Sequence, residues 1–208
     1  MSRALYESLL KAGVSAQVVA NLKKDGLTLP EIERRFQDRV ASALPPAAFL
    51  TPACPGYPKK LHQLYDQPIQ LFYRGRPPSD PDTLVVGVVG SRKATSYGLS
   101  SSRRLGAALA RHGVTVCSGL ARGIDGAVHR GVIEELKKDP DAARPIGVLG
   151  HGWDFVHPRE NEALFRQVAE WGTLLTEYPP DHPPSRWTFP ARNRIIAALS
   201  DVLVVVEA

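Results

Sequence analysis

The chain holds only two cysteines and one methionine among its 208 residues. The two thiols, Cys54 and Cys117, stand far apart and form no Cys-x-x-Cys spacing. That pattern gives neither a disulfide framework nor a thiolate zinc site, and it fits a reducing compartment. Cys117 ends the apolar run Val114-Thr-Val-Cys117 and reads as a small buried hydrophobe. No apolar run approaches the roughly 18 residues of a membrane span, and the N-terminus carries no signal-peptide core. The expectation is a soluble, cytoplasmic chain without a membrane partner. Three nucleotide-binding signatures are also missing. The first predicted strand is not followed by a full G-x-G-x-x-G. The second ends in Cys117-Ser118-Gly119, where a dinucleotide site would place an acid for the ribose hydroxyls. No Walker A lysine pattern occurs. Neither an internal repeat nor a low-complexity segment is found.

Hydrophobic residues make up 43% and charged residues 23% of the chain, the balance of a globular protein. Lys and Arg exceed Asp and Glu by 26 to 21, a formal net charge of +5. The excess leans toward a polyanionic partner, although solvated surface charge would produce it equally well. The length suits one sizeable α/β domain with a small appendage. Residues 1–44 read as three short helices, forming a small all-α domain. The third opens on Thr28-Leu-Pro-Glu31, a capping-box spacing with proline in the first turn. Residues 45–56, rich in proline, read as a linker. Tyr57-Pro-Lys-Lys-Leu61 then reads as a turn into a short helix, and Pro68–Tyr73 as a strand.

From Leu84 onward, strands and helices alternate. Strands are predicted at Leu84–Val89, Val114–Ser118, Ile146–Leu149, Thr173–Thr176 and Val202–Val206. Helices are predicted at about 96–112, 125–138, 160–171 and 192–199. This is the pattern of an α/β, doubly wound, mostly parallel sheet of Rossmann-like type over residues 57–208. A parallel strand buried on both faces normally has a helix beyond it. The strand at 202–206 therefore suggests a sheet that stops short, as in a fragment.

Ligands of such sheets bind outside the carboxyl ends of the strands. The first loop there, Gly90-Ser91-Arg92, feeds a helix whose unpaired N–H groups suit an anion, and Arg92 adds planar bidentate charge. Thr95, Tyr97 and Gly98 continue this candidate phosphate site. The second loop contributes Ser118, Gly119 and Arg122. The third contributes Arg159 and Asn161, and the fourth Arg186, Arg192, Asn193 and Arg194. Aromatics are interleaved with these arginines, and Trp153, Trp187 and Phe189 are the candidates for stacking on bases. Arginines for phosphates and aromatics for bases are the ingredients of a single-strand groove. Asp125 and His129 share one helical face. A catalytic or metal pair is weighed against a first-turn acid beside a packed histidine, and the second is expected. Glu177 reads as a general base or as a carboxylate orienting a rim arginine. No metal and no cofactor are expected.

Taken in order, these motifs resemble those of the DprA/Smf family of bacterial DNA-processing proteins. They are Val89-Gly-Ser-Arg92 with Tyr97-Gly98, Ser118-Gly-Leu-Ala-Arg-Gly-Ile-Asp125 with His129, and Val148-Leu-Gly-His-Gly-Trp-Asp154 with Pro158 and Asn161. Thr176-Glu-Tyr178, Phe189-Pro-Ala-Arg-Asn-Arg-Ile-Ile196 and Val204-Val-Val-Glu-Ala208 complete the set. The resemblance implies an extended Rossmann-like domain behind a sterile-alpha-motif-like helical domain. It implies a protein without turnover that binds single-stranded DNA, protects it on entry, and loads the RecA recombinase during natural transformation. The phosphate pocket it implies is Gly90, Ser91 and Arg92, with Arg159 and Arg186 as basic partners. His157-Pro158-Arg159 stands where the family often has Tyr-Pro-Lys. The family continues past Glu207-Ala208 with sheet elements serving homodimer formation and RecA contact. Two readings stay open beside this one. A nucleotide-cleaving enzyme like the Rossmann-like phosphoribohydrolases would need a Pro-Gly-Gly-x-Gly-Thr loop, which is not found. A non-enzymatic nucleotide sensor needs only the fold.

Overall fold

A computed structural model describes residues 48–78 and 84–208; the helices read over 1–44 lie outside the described residues. Seven strands form one sheet: β1 (Ala48–Leu50), β2 (Leu71–Gly75), β3 (Val85–Gly90), β4 (Thr115–Ser118), β5 (Ile146–Val148), β6 (Thr173–Thr176) and β7 (Val202–Val206). Their spatial order is β1-β2-β6-β5-β4-β3-β7. The five strands from β6 to β7 are parallel, and β2 joins β6 antiparallel with β1 outside it. Four helices connect them: α1 (Ser96–Arg111), α2 (Ile124–Leu136), α3 (Glu162–Trp171) and α4 (Thr188–Leu199). The predicted doubly wound, mostly parallel architecture is what forms.

Strand alternation sends successive side chains to opposite faces, so the sheet carries two cores. On one face Val86, Val88, Val116 and Leu174 pack beneath α1, α2 and α3 through Ala110, Val128, Val132, Leu164 and Val168. On the other, Val85, Cys117, Val148 and Leu175 meet Ile195, Ile196 and Leu199 of α4, with Tyr57 and Leu61 completing the layer. Burial pushes the Cys117 thiol up to about 12, so it stays protonated and inert. β3 to β6 step in one direction across the sheet, and α4 then carries the chain back to β7 on the far side of β3. The strand order therefore reverses beside the carboxyl end of β3, where ligands of such sheets collect.

Two elements depart from the sequence reading. Ala48–Leu50, inside the stretch read as a linker, pairs with Leu71–Tyr73 as an edge strand. Prolines flank rather than interrupt these three residues, and an edge strand tolerates that. The helix expected from 192 begins at Thr188. Ser185 and Thr188 cap each other: the Ser185 N–H donates to Thr188 Oγ1 at 3.1 Å and the Thr188 N–H to Ser185 Oγ at 3.3 Å. Pro190 falls in the first turn, where its missing N–H costs nothing. This earlier start places Phe189 on the helix, at the carboxyl edge of the sheet.

α1 meets α2 along a strip of small residues: Gly98, Ser102, Gly106 and Ala110 form its buried face. A Cβ on Gly131 of α2 would press into the Arg103 carbonyl, and one on Gly106 would lie 3.1 Å from Val128 Cγ2. An isolated helix gains about 1 kcal/mol when glycine becomes alanine. Here the crowding opposes that gain with an overpacking cost of about 1–3 kcal/mol. Gly131→Ala is therefore expected to lower stability by up to about 2 kcal/mol in urea denaturation. A stabilised variant would contradict the close helix approach.

Candidate nucleic-acid interface

The loop after β3 is fixed by its main chain. Gly90 lies against the Val206 carbonyl, and a Cβ there would come within 2.7 Å of Ile124 Cγ1. The Ser91 N–H donates to the Glu207 carbonyl at 3.0 Å, and its own carbonyl accepts from the Ile124 N–H at 3.2 Å. Gly123, at φ +75°, lets the second loop pass directly over Ser91 and Arg92; any side chain would strike the Ser91 carbonyl. Ser91 Oγ accepts from the Lys93 N–H at 3.1 Å and turns the chain. The loop's backbone is thus committed inward, and the Arg92 and Lys93 side chains face water.

Beneath the loops lie Asp125 and Arg192, 5% and 3% exposed. The Asp125 carboxylate accepts from the Gly119 N–H at 3.2 Å, and the main chains of Ala121 and Gly90 also turn toward it. Burial pushes its pKa up, while the Arg192 charge and these N–H groups pull it down; the net direction is up. The Arg192 guanidinium donates to the Gly119 carbonyl at 2.7 Å and to the Val148 carbonyl. Asn161 holds the same turn from below, donating to the carbonyls of Leu120 at 3.0 Å and Ala121 at 3.1 Å.

On this base stands the exposed rim. The Arg92 guanidinium lies 5.1 Å from the Phe189 ring centroid, and the His157 ring lies 5.2 Å from the same centroid. Arg186 lies 4.5 Å from the Trp187 ring, which is 69% exposed. Among the described residues no carboxylate comes within ion-pair distance of Arg92, Arg159 or Arg186. Arg122, also exposed, pairs with Glu160 at 3.0 Å across two solvated side chains, a weak contact that an anion could displace. Tyr97 is 77% exposed at the start of α1, and Asn193 is exposed on α4.

The remaining candidates turn out to be framework. Arg192, read as a phosphate ligand, is buried and spent on carbonyls. Arg194 is spent on Glu177, in a bidentate pair at 2.8 and 2.7 Å, and on Asp66 at 2.7 Å. Of the two roles weighed for Glu177, orienting an arginine is the one seen. Ser118 donates its hydroxyl to the Val88 carbonyl at 2.5 Å inside the sheet, and Gly119 is packed under the Arg192 guanidinium. Asn161 is buried. Trp153 is half-buried against the helical core with Arg74 over its ring at 5.3 Å, so that face is unavailable to a base. Thr95 and Gly98 do begin α1, but the anion at that helix terminus is the chain's own Glu207. Its carboxylate accepts from the Thr95 N–H at 2.8 Å and from the Thr95 hydroxyl. These N–H and hydroxyl contacts hold Glu207 below the usual carboxylate range.

His157 and Glu207 lie outside the site that the sequence predicts. An acid directly after a parallel strand was visible, but its partner Thr95 lies 112 residues away in the chain. Among the described residues, no group of three or more His, Cys, Asp or Glu side chains could hold a metal. No described helix is long and apolar enough to cross a membrane.

With the geometry in place, comparison with known proteins locates this arrangement. The sequence model of the family described as DNA recombination-mediator protein A matches residues 48–208. Protein Smf of Synechocystis sp. is 42% identical over 163 residues, 77% of this chain and 39% of its own length. Protein Smf of Escherichia coli is 37% identical over 196 residues, 90% of this chain and 50% of its own. The chain thus spans half or less of these relatives. Among solved structures, DNA processing protein A of Streptococcus pneumoniae superimposes with a TM-score of 0.70 at 31% identity, covering 85% of this chain and 58% of that one. DNA processing protein A of Helicobacter pylori, solved for its single-stranded DNA binding mode, gives 0.66 at 28% identity, over 76% and 68%.

One buried group in this region has its pKa displaced by burial. His129 is fully buried on α2, and neither ring nitrogen has a hydrogen-bond partner of good geometry. Burial dominates and holds its pKa down at about 4; the Ser118 main chain and the Arg192 charge are lesser influences. The unfolded chain takes up this proton near pH 6.5, the folded chain only near 4. The linked stability is intact above pH 6.5 and falls as pH drops toward 4, by about 3 kcal/mol in all. Urea titrations across this window should show the slope in the wild type. His129→Leu should flatten it, leaving the smaller contribution of His151, whose pKa burial lowers in the same direction. An unchanged slope would remove His129 from the account.

Proposed function

The chain belongs to the DNA recombination-mediator protein A family, and from that premise we propose that its rim at the carboxyl end of the sheet binds single-stranded DNA. Phosphates lie on Arg92, Arg159 and Arg186, with Arg122 and Lys93 at the margins. Bases stack on Trp187 and Phe189. The observation that carries this reading is the pairing of Arg92 and Arg186 with aromatic rings instead of carboxylates. A cation resting on a ring keeps its outward N–H groups for a phosphate while the ring presents a face to a base. Exposed bases belong to single strands, so the surface selects against duplex.

The protein acts by binding, without turnover. Asp125, Glu177 and Glu207 are each committed to main-chain groups, Thr95 or Arg194, and Glu160 on the rim pairs with Arg122, which supports a scaffold role for the first three. In the whole protein this surface covers the incoming strand and hands it to the RecA recombinase, and the protein acts as a homodimer in the cytoplasm. The family's description as a DNA recombination mediator and the DNA processing protein A structure solved for its single-stranded DNA binding mode support the DNA-binding part of this reading.

Fluorescence anisotropy with a labelled oligo-dT tests the proposal. About four phosphate contacts on a single strand give a slope of roughly −3 in log affinity against log salt. Arg92→Ala should weaken binding about tenfold on every sequence alike. Trp187→Ala should weaken it by about 1–3 kcal/mol with the salt slope unchanged. Equal affinity for duplex, or a flat salt dependence, would contradict the proposal.

A further inference from the structure

Glu207 does more than end a strand, and we infer that it is the positioning residue of the Arg92 loop. The inference rests on the reading of Arg92 as a phosphate ligand. One residue holds that loop at both ends. The Glu207 carbonyl accepts from the Ser91 N–H at 3.0 Å, just before Arg92. Its carboxylate accepts from the Thr95 N–H at 2.8 Å and from the Thr95 hydroxyl, just after Ala94. Thr95 Oγ1 in turn accepts from the Gly98 N–H at 3.1 Å and starts α1. The residues from Arg92 to Ala94 therefore form a short arch whose two feet stand on Glu207.

The backbone is shaped for this. Glu207 sits at φ 51°, in the left-handed region that a glutamate rarely adopts. That turn is what lets carbonyl and carboxylate reach the two feet at once. Gly98 leaves the space for the carboxylate, since a Cβ there would lie 2.5 Å from Glu207 Oε1. The carboxylate also fills the anion site of the α1 terminus, which keeps the ligand phosphate outside, on the Arg92 side chain.

Coulomb's law alone predicts the opposite effect on binding, and this makes the inference testable. A negative charge near a polyanion site repels the ligand, so its removal should tighten binding. If Glu207 positions the loop, Glu207→Ala should instead weaken oligo-dT binding about tenfold and make the salt slope shallower by about 0.7, the contribution of one phosphate. Glu207→Gln, which keeps one acceptor oxygen, should fall between. In the Glu207→Ala background, Arg92→Ala should cost no more than about threefold, because the two substitutions remove the same contact. Thr95→Ala, which removes the hydroxyl donor to Glu207, should also weaken binding. Thermal melts accompany each variant, and if Glu207→Ala unfolds at the assay temperature, Gly98→Ala displaces the carboxylate by crowding and serves in its place. Tightened binding in Glu207→Gln, or full additivity with Arg92→Ala, overturns the inference. If wild-type binding itself ignores salt and Arg92, the functional reading fails first, and the two failures are distinct.

Discussion

Asp125 and Arg192 are both shut away from water, and between them they determine where the backbone goes after β3, β4 and β5. Removing charges from solvent costs several kcal/mol per ion, and only dense hydrogen bonding offsets it. Here that bonding is with main chain. The carboxylate gathers N–H groups of the first two loops, and the guanidinium receives the carbonyls of Gly119 and Val148. Loops at strand ends otherwise carry unsatisfied backbone groups and move. Satisfying those groups from below leaves side chains above free to meet a ligand.

The arginines divide accordingly. Arg192 and Arg194 are partnered by carbonyls or carboxylates and serve the frame. Arg92 and Arg186 rest on rings and have charge to spare. A framework arginine has an acid or carbonyl within hydrogen-bond reach, whereas a ligand arginine is supported by something that does not quench it. The same division runs through the aromatics. Trp153 is pinned under Arg74 against the helical-face core, while Trp187 stands in water. Glu207 joins the two layers, since it belongs to the sheet by its strand and to the rim by the loop it holds.

Much of this was legible from the residues in order. β-Branched runs separated by helical periods fix a parallel sheet, and its strand ends name the loops that carry Gly90-Ser91-Arg92. Long-range pairing was not legible. Nothing local distinguishes Arg192 from Arg186: both lie in polar, proline-bounded sequence, and only the packing of α4 sends one inward. Thr95 and Gly98 look like an anion site because a helix terminus is one; the occupant came from the other end of the domain. Ala48–Leu50 is too short for periodicity to declare it a strand. Pro190 hides the true start of α4, because proline in a first turn looks like a break.

The most direct measurement is a crystal structure of the protein with a short oligo-dT. A phosphate is expected within hydrogen-bond distance of the Arg92 guanidinium, and a second near Arg186. A base should lie against Trp187 or Phe189, with Glu207 still bonded to Thr95 beneath. A strand lying along the α1–α3 face, or phosphates bonded to the α1 terminus in place of Glu207, would contradict this arrangement.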